Sequence, residues 1–455
     1  MLTRRDLLRA AGATTAAALL GCGARARPLV TARAGEAEAL RGALRDAVEI
    51  LATRLREPVA YALVRRRVRA VVDLAQRDVT DATTIAIVVG GRDGAGAWRE
   101  RAIDRAEPAR VRAAAQALVA EAPPGTSTPL AFGAPIDHAT ALDVEPAGLA
   151  TGDWLAQAEV VAQRAEATAS SRIIYRAAYL TCDDDRSWIV SADADVSQRL
   201  VRTRVGATAV AWQGSAPIAG TAEVAGGFGP AHERLGDDAL AAMTAEALSL
   251  HAASEIATSP SADVVLAPAV IAAIVDAGWA GLGRGGLAVV TDDPALANGF
   301  GSYFVDDLGA AAAPIVLGGA PMIAGRARRS QPSWRLATGP SNLVMTLGAS
   351  DPAALEGQVE DGFVVDGVAN LQRDRAGAIA LRATRARRIV RGARTGESWR
   401  DVELRGDAAA IVTAIRAIGN RAETIAPLDD DRPARAIVVP AVLTRAAIAP
   451  ARGDW

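Results

Sequence analysis

Apolar residues recur along residues 35–57 at the three-to-four-residue spacing of an amphipathic helix, and Pro58 ends the pattern. Two short β-rich runs follow, the second closed by a glycine pair, and helical spacing then returns. These three elements are expected over residues 59–65, 84–89 and 109–121. Together they predict a small N-terminal α/β unit over residues 35–122. The segment PPGTSTP after it is typical of a linker.

A second unit is predicted over residues 130–230, where helical spacing is followed by strand-like alternation. Its expected elements are a helix over 153–167, a hairpin with strands 173–182 and 187–191, and a longer strand over 198–212. The acidic run Asp183–Asp185 with Arg186 is expected to form the solvated turn of that hairpin. A calcium site is the alternative, but the run lacks EF-hand spacing, as does Asp429–Asp431.

The third and largest unit is predicted over residues 233–455. It opens with a helix over 237–251, for which Asp237 is a suitable N-cap. Beyond it, short β-rich segments alternate with glycine turns and two helical stretches. The strands are expected over 287–291, 302–305, 342–347, 378–384 and 402–404, and the helices over 352–360 and 407–417. The whole chain is therefore predicted to be α+β, with a small α/β unit, an α/β-hairpin unit and a largely antiparallel C-terminal domain.

The first residues have the three parts of an export signal. Arg4 and Arg5 form a twin-arginine pattern, and the apolar stretch after them is too short to span a bilayer permanently. Residues 19–22 resemble a lipobox, in which Cys22 becomes the acylated N-terminus. We expect residues 1–21 to be removed after export by the twin-arginine pathway. The body is then lipid-anchored on the periplasmic side of the envelope, and Gly23 favours the outer membrane. The alternative is an amphipathic surface helix with a buried cysteine.

Composition narrows the possible activities. Half of the 455 residues are hydrophobic but only 4% are aromatic, so Ala, Val, Leu and Ile must build the cores. The net charge of −2 gives no basic surplus for nucleic acid. All 50 basic residues are arginines, which excludes lysine-based catalysis. With Cys22 acylated, Cys182 is the remaining thiol, so no intrachain disulfide is expected, and a structural role is favoured over a nucleophilic one.

The candidate metal ligands are sparse. The three histidines, His138, His232 and His251, do not pair at the spacing of a zinc site. His232-Glu233 with Asp237 imitates a metal motif, but the flanking Pro230 and Gly236 place it in a loop before a helix. His138 and His251 are expected on surfaces or helix faces. No nucleophile elbow, phosphate loop or dinucleotide fingerprint occurs in a strand–turn–helix context, and no cofactor is expected.

One apolar segment contains a single carboxylate. Residues 264–283 are VVLAPAVIAAIVDAGWAGLG, and Asp276 lies inside them. Because burying an unpaired carboxylate is costly, Asp276 is expected to bond to backbone or to face a groove.

From about residue 36 onwards the chain resembles the PmbA/TldD family, also called modulators of DNA gyrase. The resemblance rests on segments in the family's order. They are Val264–Pro268, Gly301-Ser302, Asp306–Gly309, Arg326–Arg329, Pro340–Leu343 with Gly348, Glu360–Val365 and Arg391-Gly392. It implies a PmbA/TldD-like fold along the mature chain.

The resemblance also implies how such proteins act. Their subunits pair: one binds a metal through a His-Glu-x-x-x-His motif and a C-terminal cysteine and hydrolyses peptides, and the other lacks these ligands. With Leu266 and Pro268 in register, the two histidine positions are taken by Asp276 and Gly281, and the glutamate position by Ala277. No cysteine follows Cys182. The resemblance thus implies a PmbA/TldE-like member without catalytic or metal-binding residues.

Three hypotheses remain open. The first is a catalytically inactive envelope subunit that pairs with a metal-bearing TldD-type homologue, or with itself, and helps to bind extended peptides by strand addition. The second is a free-standing binding or scaffolding lipoprotein. The third is a metallopeptidase with relocated ligands at His232, Glu233 and Asp237. None of them involves nucleic acid, and the lipid anchor is the only membrane contact expected.

Overall fold

The computed structural model describes residues 34–451 apart from 104, 124, 126, 141, 143–144, 169, 214–215, 228–230, 249–255, 257, 283–285, 307–308, 310, 318–327, 330–335, 338, 375–376 and 428–434. The expected export signal over residues 1–21, with Arg4, Arg5 and Cys22, lies outside the described residues. So do His251 and the acidic run Asp429–Asp431.

The first part of the chain forms a seven-stranded sheet with helices on one side. Its elements are α1 (Ala34–Ala52), β1 (Arg56–Asp73), β2 (Arg77–Arg92), β3 (Trp98–Ile103), α2 (Pro108–Glu121), β4 (Ile136–Ala139), α3 (Thr151–Ala167), β5 (Ile173–Ser191), β6 (Asp195–Gln213), β7 (Ala216–Gly227), α4 (Ala231–Arg234) and α5 (Asp237–Leu248). The strand order is β3-β2-β1-β5-β6-β4, and β7 pairs with β6. Strands from both of the first two predicted units thus join one sheet, and the boundary between those units stays a prediction.

The helices bury apolar side chains against one face of this sheet, called here the helix-covered face. Leu44 of α1 packs with Ile87 of β2, and Trp154 of α3 packs with Leu180 of β5. Helix α5 packs its apolar side chains against β6 and β7 in the same way. The opposite face, called here the inner face, is directed towards the rest of the chain. The inner face buries a smaller apolar cluster, in which Tyr61 and Ile189 pack with Val305, and carries polar side chains beside it.

Three consecutive arginines and three consecutive aspartates meet at the centre of the sheet. Arg65–Arg67 of β1 lie directly opposite Asp183–Asp185 of β5. On the inner face Arg65 bonds both oxygens of Asp185, at 2.6 and 2.8 Å, and Arg67 bonds Asp183 at 2.7 Å. On the helix-covered face, Arg199 of β6 bonds Asp184 at 2.8 Å.

These pairs correct the hairpin prediction. The acidic run is buried in the middle of the 19-residue strand β5, rather than forming a solvated turn. The expected turn was wrong because its charges are matched by arginines on both neighbouring strands. Those arginines are far away in the sequence, so local composition gives no sign of them.

The second part of the chain is built on a nine-stranded sheet. Its elements are β8 (Ser259–Leu266), α6 (Pro268–Gly278), β9 (Val290–Asp292), β10 (Ile315–Val316), β13 (Asn342–Met345), α7 (Pro352–Gly357), β14 (Asp361–Arg373), β15 (Ala378–Val390), β16 (Ala393–Asp407), α8 (Ala408–Thr413), β17 (Ala417–Ile425) and β18 (Ala436–Pro450), with a separate small pair of strands, β11 (Arg328–Arg329) and β12 (Leu336–Ala337). Strand β8 pairs with both β14 and β18, so β8, β14, β15, β16 and β18 form a closed ring.

The observed architecture confirms the predicted α+β class. The helix predicted over 153–167 forms as α3, and the alternating strand over 198–212 forms as β6. One short prediction fails: residues 302–305 do not make a strand, and Val305 only forms an isolated bridge with Ala311. No helix in the described part of the chain is both long and apolar enough to cross a membrane.

Candidate functional site

Helix α6 carries the segment in which Asp276 interrupts an apolar run. It starts directly after β8, with Ala267 in an extended conformation and Pro268 in the first turn, where a missing N–H costs nothing. Its side chains are buried nearly all round, as is typical of a helix within a core. It packs against β14, β18 and α8. Asp276 is therefore a carboxylate on a helix that the C-terminal core surrounds.

Asp276 pairs with a buried guanidinium. Nε of Arg435 donates to Oδ1 of Asp276 at 2.7 Å, and Nη2 donates to Oδ2 at 2.8 Å. The Asp276 side chain is 15% exposed and the Arg435 side chain is 6% exposed. The bidentate geometry satisfies both carboxylate oxygens. The expectation that Asp276 bonds to backbone or faces a groove is corrected, because its partner is a cation that lies 159 residues further along the chain.

The residues at the other two metal-ligand positions offer no donor side chain. Ala277 is 7% exposed and ends in a methyl group. Gly281 closes the 3₁₀ turn that follows α6, against Ala409 of α8. At Gly278 an added Cβ would lie 2.8 Å from the Cβ of Ala408. A catalytic zinc ion needs about three protein ligands and an open position. A carboxylate already bonded to arginine, a methyl group and a glycine do not fit one.

The other candidate metal ligands either contact other side chains or lie apart from one another. The His138 ring stacks on Phe304, with centroids 5.0 Å apart. His232 and Glu233 lie in the short helix α4 rather than in the expected loop. Asp237 accepts a hydrogen bond from Arg164 at 2.7 Å. Within the described residues, no three His, Cys, Asp or Glu side chains gather in a way that could hold a metal ion.

Cys182 is enclosed by the core under α3. Burial, with the neighbouring Asp183 and Asp184 charges, raises the pKa of its thiol far above the ordinary value. A thiol that stays protonated is a poor nucleophile. This environment agrees with the structural role expected from the sequence.

Segments that carry the family resemblance converge beside the Asp276–Arg435 pair. Ser341 donates its backbone N–H to Asp292 at 2.8 Å. The amide of Asn342 accepts from the N–H of Gly301 at 2.9 Å and donates to Ser302 Oγ at 2.9 Å. An added Cβ on Gly301 would lie 2.1 Å from the Ser341 carbonyl oxygen and 2.8 Å from Arg435 Cα. Only glycine allows this close approach of three backbone segments.

The inner face of the first sheet docks onto the same segments. Gln198 donates to the carbonyl of Val305 at 2.8 Å and accepts from the N–H of Phe304 at 3.0 Å, as a neighbouring strand would. Arg202 donates to the carbonyl of Ser302 at 3.1 Å. Arg204 lies over the Phe300 ring at 4.9 Å and donates to the Ala426 carbonyl at 3.1 Å. Polar side chains thus join the two sheets, beside apolar packing of Val305 on the inner face.

A pair of a buried tyrosine and a carboxyl group that is 24% exposed lies on this inner face. Tyr179, Gly206 and Glu223 are directly opposite one another on β5, β6 and β7. The tyrosine ring crosses Gly206, where an added Cβ would be 2.5 Å from it, and its hydroxyl donates to Glu223. Burial raises the pKa of Glu223, with the Arg204 charge opposing that effect. The pKa of Tyr179 is also raised, by burial first and the Glu223 charge second.

The sequence of residues 322–449 matches the PmbA/TldA metallopeptidase C-terminal domain. The sequence likeness to the PmbA/TldA family therefore covers residues 322–449. The match includes Arg435, the cation that pairs with Asp276, and it confirms the predicted resemblance. None of the curated proteins is significantly similar in sequence to this chain.

Solved structures extend the PmbA/TldD likeness to most of the chain. Two are proteins named as modulators of DNA gyrase. The one from Bacteroides thetaiotaomicron is 13% identical with a TM-score of 0.67, covering 92% of this chain and 99% of its own. The one from Thermotoga maritima is 15% identical with a TM-score of 0.66, covering 86% and 96%. TldE from Thermococcus kodakarensis is 13% identical with a TM-score of 0.66, covering 90% and 100%. At these identities the likeness shows the PmbA/TldD fold.

Sequence reasoning located Asp276 but missed the residues that surround it. Arg435 carries no local signal, since it lies just before an ordinary apolar strand. The inner-face residues Arg202 and Arg204 look like the polar half of an alternating strand. One usable signal was present: the triplets Arg65–Arg67 and Asp183–Asp185 are complementary, and an antiparallel register pairs them completely.

Proposed function

We propose that this chain is a catalytically inactive, TldE-like subunit that pairs with a metal-bearing TldD-type homologue and helps to hold extended peptides. The observation that carries the proposal is the Asp276–Arg435 pair. The resemblance puts a metal ligand at position 276, and the carboxylate found there has both oxygens bonded to a buried guanidinium. The positive charge that such a carboxylate requires is supplied by the protein itself.

The rest of the scaffold supports a binding role. The segments that carry the resemblance remain packed around the pair, through Asn342, Gly301 and Ser302. The fold is that of TldE from Thermococcus kodakarensis along 90% of the chain. We infer that the scaffold is kept for association and peptide contact. Extended peptides are suited to pairing with sheet edges through their backbone groups.

Co-purification tests the pairing. The tagged chain is expressed with a homologue that carries His-Glu-x-x-x-His, and the purified material is assayed for bound partner, metal content and peptide hydrolysis. We expect a one-to-one complex whose metal and activity belong to the homologue. The matched control is the chain alone, which should neither retain zinc after dialysis nor hydrolyse peptides. Zinc retained by the chain alone, and lost in Asp237→Ala, would favour the relocated-ligand hypothesis instead.

We also propose that the protein is exported folded and anchored by Cys22 in the envelope, on the basis of Arg4, Arg5 and the lipobox-like residues before Cys22. Replacing both arginines by lysine should leave the protein in the cytoplasm with its signal uncleaved. Cys22→Ser should be exported but released into the periplasmic fraction. Membrane association that survives Cys22→Ser would contradict the anchor.

A further inference from the structure

Arginines crowd one face of the closed ring. Asp366 of β14 lies directly opposite Arg385 of β15, which lies directly opposite Arg400 of β16. In the adjacent row, Arg387 of β15 lies opposite Ser398 of β16. Directly opposite residues project from the same face of a sheet, and residues two apart on a strand share that face. The two rows therefore belong to one face.

Two carboxylates bind three of the arginines on this face. Nε of Arg385 donates to Oδ1 of Asp366 at 2.8 Å, and Nη2 of Arg387 donates to Oδ2 at 2.6 Å. Further along β16, Arg394 donates to both carboxylate oxygens of Glu356 in α7. The name arginine face is used here for Arg385, Arg387, Arg394 and Arg400.

Two guanidinium groups of the arginine face have unused donors. Among the described residues, Arg400 has neither a hydrogen bond nor an ion pair. Nε of Arg387 is buried and has no acceptor in the same part of the chain. Burial lowers the pKa of Arg387, and the charges of Arg385 and Arg394 lower it further, although the Asp366 charge opposes them. The cations of this face thus act against one another.

Positive charge exceeds negative charge on the arginine face. Glu246 of α5 lies at its border, where it accepts a hydrogen bond from Thr384 at 3.4 Å. With Glu246 included, the four arginines are set against three carboxylates. The first sheet differs, because the triplet Arg65–Arg67 lies opposite the triplet Asp183–Asp185. Like charges directly opposite each other destabilise a sheet, so a bound anion would offset a cost that the protein alone does not remove.

We propose that the arginine face binds a phosphate monoester, to which Arg400 and Arg387 donate hydrogen bonds. Guanidinium groups suit phosphate because their N–H donors form a planar fork that matches its oxygens. Arg400 and Arg387 are diagonal neighbours on adjacent strands, about 7–8 Å apart, which is within reach of long side chains. A phosphate monoester has three terminal oxygens and a charge of about −1.5 to −2 at pH 7. One such group can therefore accept from both arginines and neutralise the excess charge.

The chemistry of the face favours this ligand over other anions. A carboxylate has two oxygens and a single charge, so it would fill fewer of the unused donors. Nucleic acid is bound by a basic stripe or patch that follows many phosphates, whereas this cluster is bordered by Glu246 and Glu356. The phosphate can belong to a soluble compound or to a lipid headgroup, since the recognition is the same. The assignment goes beyond the proposed function and does not involve the metal-bearing homologue.

Calorimetric titration with inorganic phosphate tests the assignment, using the full chain with Cys22→Ser, which removes the proposed acylation site. We expect one phosphate to bind per chain and to remain bound at physiological salt. Arg400→Gln and Arg387→Gln should each raise the dissociation constant by about ten- to a hundredfold, because each removes charged hydrogen bonds to the ligand. Arg172→Gln is the matched control: Arg172 is an exposed arginine between α3 and β5, so the dissociation constant should be unchanged.

Unfolding temperature provides a second measurement, in which a purely structural role would give a different result. Without phosphate, Arg400→Gln should be at least as stable as the parent, because it removes a cation that lies opposite Arg385. Saturating phosphate should raise the unfolding temperature of the parent and leave that of Arg400→Gln unchanged.

Vesicles distinguish the two sources of phosphate. Adsorption to phosphatidylcholine vesicles that requires added phosphatidic acid, and that Arg400→Gln and Arg387→Gln both lose, would assign the phosphate to a lipid headgroup. A parent that binds neither inorganic phosphate nor phosphatidic acid overturns the proposal. Binding that both variants retain, or that Arg172→Gln weakens equally, overturns it too, as does tighter binding of acetate than of phosphate. None of these results bears on pairing with a homologue, so the proposed function stands or fails separately.

Discussion

A carboxylate inside the C-terminal core depends on a single distant arginine. Asp276 and Arg435 are 15% and 6% exposed, so neither charge is well solvated when its partner is removed. A buried ion pair gives little net stability, whereas breaking one leaves an uncompensated charge. The pair therefore acts as a constraint: helix α6 and the start of β18 must stay together.

A double-mutant cycle on this pair should show strong coupling. Arg435→Met should lower the free energy of unfolding by about 3–5 kcal/mol, because it leaves the Asp276 carboxylate without its counter-charge. Asp276→Ala should also lower it, because it removes two hydrogen bonds from the buried guanidinium of Arg435. The double variant should lose much less than the sum of the two. Urea unfolding of the four proteins measures the coupling.

Asp361→Ala serves as the control, because its ion pair with Arg388 is largely exposed, at 62% and 35%, and should contribute less than about 1 kcal/mol. Losses that simply add in the double variant would contradict the constraint.

Glu223 should stabilise the protein at low pH rather than at neutral pH. A carboxylate in an ordinary ion pair does the opposite, because its pKa is lowered on folding. Burial raises its folded pKa above the usual 4.5, so the native chain holds the proton more tightly than the unfolded chain. Its contribution is complete below pH 4.5 and is lost as pH rises through the raised pKa. Glu223→Gln keeps a partner for the Tyr179 hydroxyl but does not titrate. Subtracting the variant's stability profile from that of the parent, measured by urea unfolding, should give this falling curve, and a flat difference would exclude it.

At the scale of elements, the paired triplets determine how β1 and β5 align. A slip of one residue would move every side chain to the other face of the sheet and break the Arg65–Asp185 and Arg67–Asp183 pairs. Asp185 shows the strength of this arrangement. Burial alone raises its pKa, but the Arg65 and Arg202 charges hold the pKa at about 2.

Asp185 should therefore contribute to acid sensitivity. Its stabilisation is complete above its ordinary pKa of 3.8 and is lost as pH falls through 2, a change of about 2 kcal/mol. Asp185→Asn should be less stable at neutral pH and should lack this part of the acid-induced loss. Circular dichroism during acid titration measures it. Asp46→Asn, at an exposed pair with Arg112, is the control and should titrate like the parent.

Elements with a complete local pattern were predictable, and pairings between distant residues were not. The spacing of Leu40, Leu44 and Leu51 indicated α1 without any knowledge of its partners. Asp183–Asp185 looked like a turn because the arginines that neutralise them lie on other strands. In the same way, position 276 could be located through the resemblance, but its partner Arg435 could only come from the fold.

At the scale of the whole molecule, side chains of the first sheet form hydrogen bonds to the backbone of a loop in the second part of the chain, as a neighbouring strand would. Gln198 bonds the backbone of Phe304 and Val305 in both directions, and Arg202 bonds Ser302. These contacts order a loop that has little secondary structure of its own. These bonds, together with the packing of Val305 on the inner face, hold the two sheets in their orientation.

Removing the Gln198 amide should loosen that loop without unfolding either sheet. In Gln198→Leu the amide hydrogens of Phe304 and Val305 lose their acceptor, so their exchange with deuterium should be faster by about tenfold. Hydrogen exchange followed by mass spectrometry measures this. Gln358→Leu, which removes only a local bond to Ala354, should leave the loop unchanged. Equal exchange in all three proteins would show that the loop is held by other contacts.

The closed ring has a consequence for how the chain is made. Strand β8 ends at Leu266, but its partner β18 runs from Ala436 to Pro450 and also pairs with β13, β16 and β17. During synthesis at about 5–20 residues per second, β8 must wait roughly 10–40 seconds for that partner to emerge. Throughout that time the ribosome carries an open sheet with unpaired strands. This C-terminal region is therefore the part of the nascent chain for which protection by a chaperone matters most.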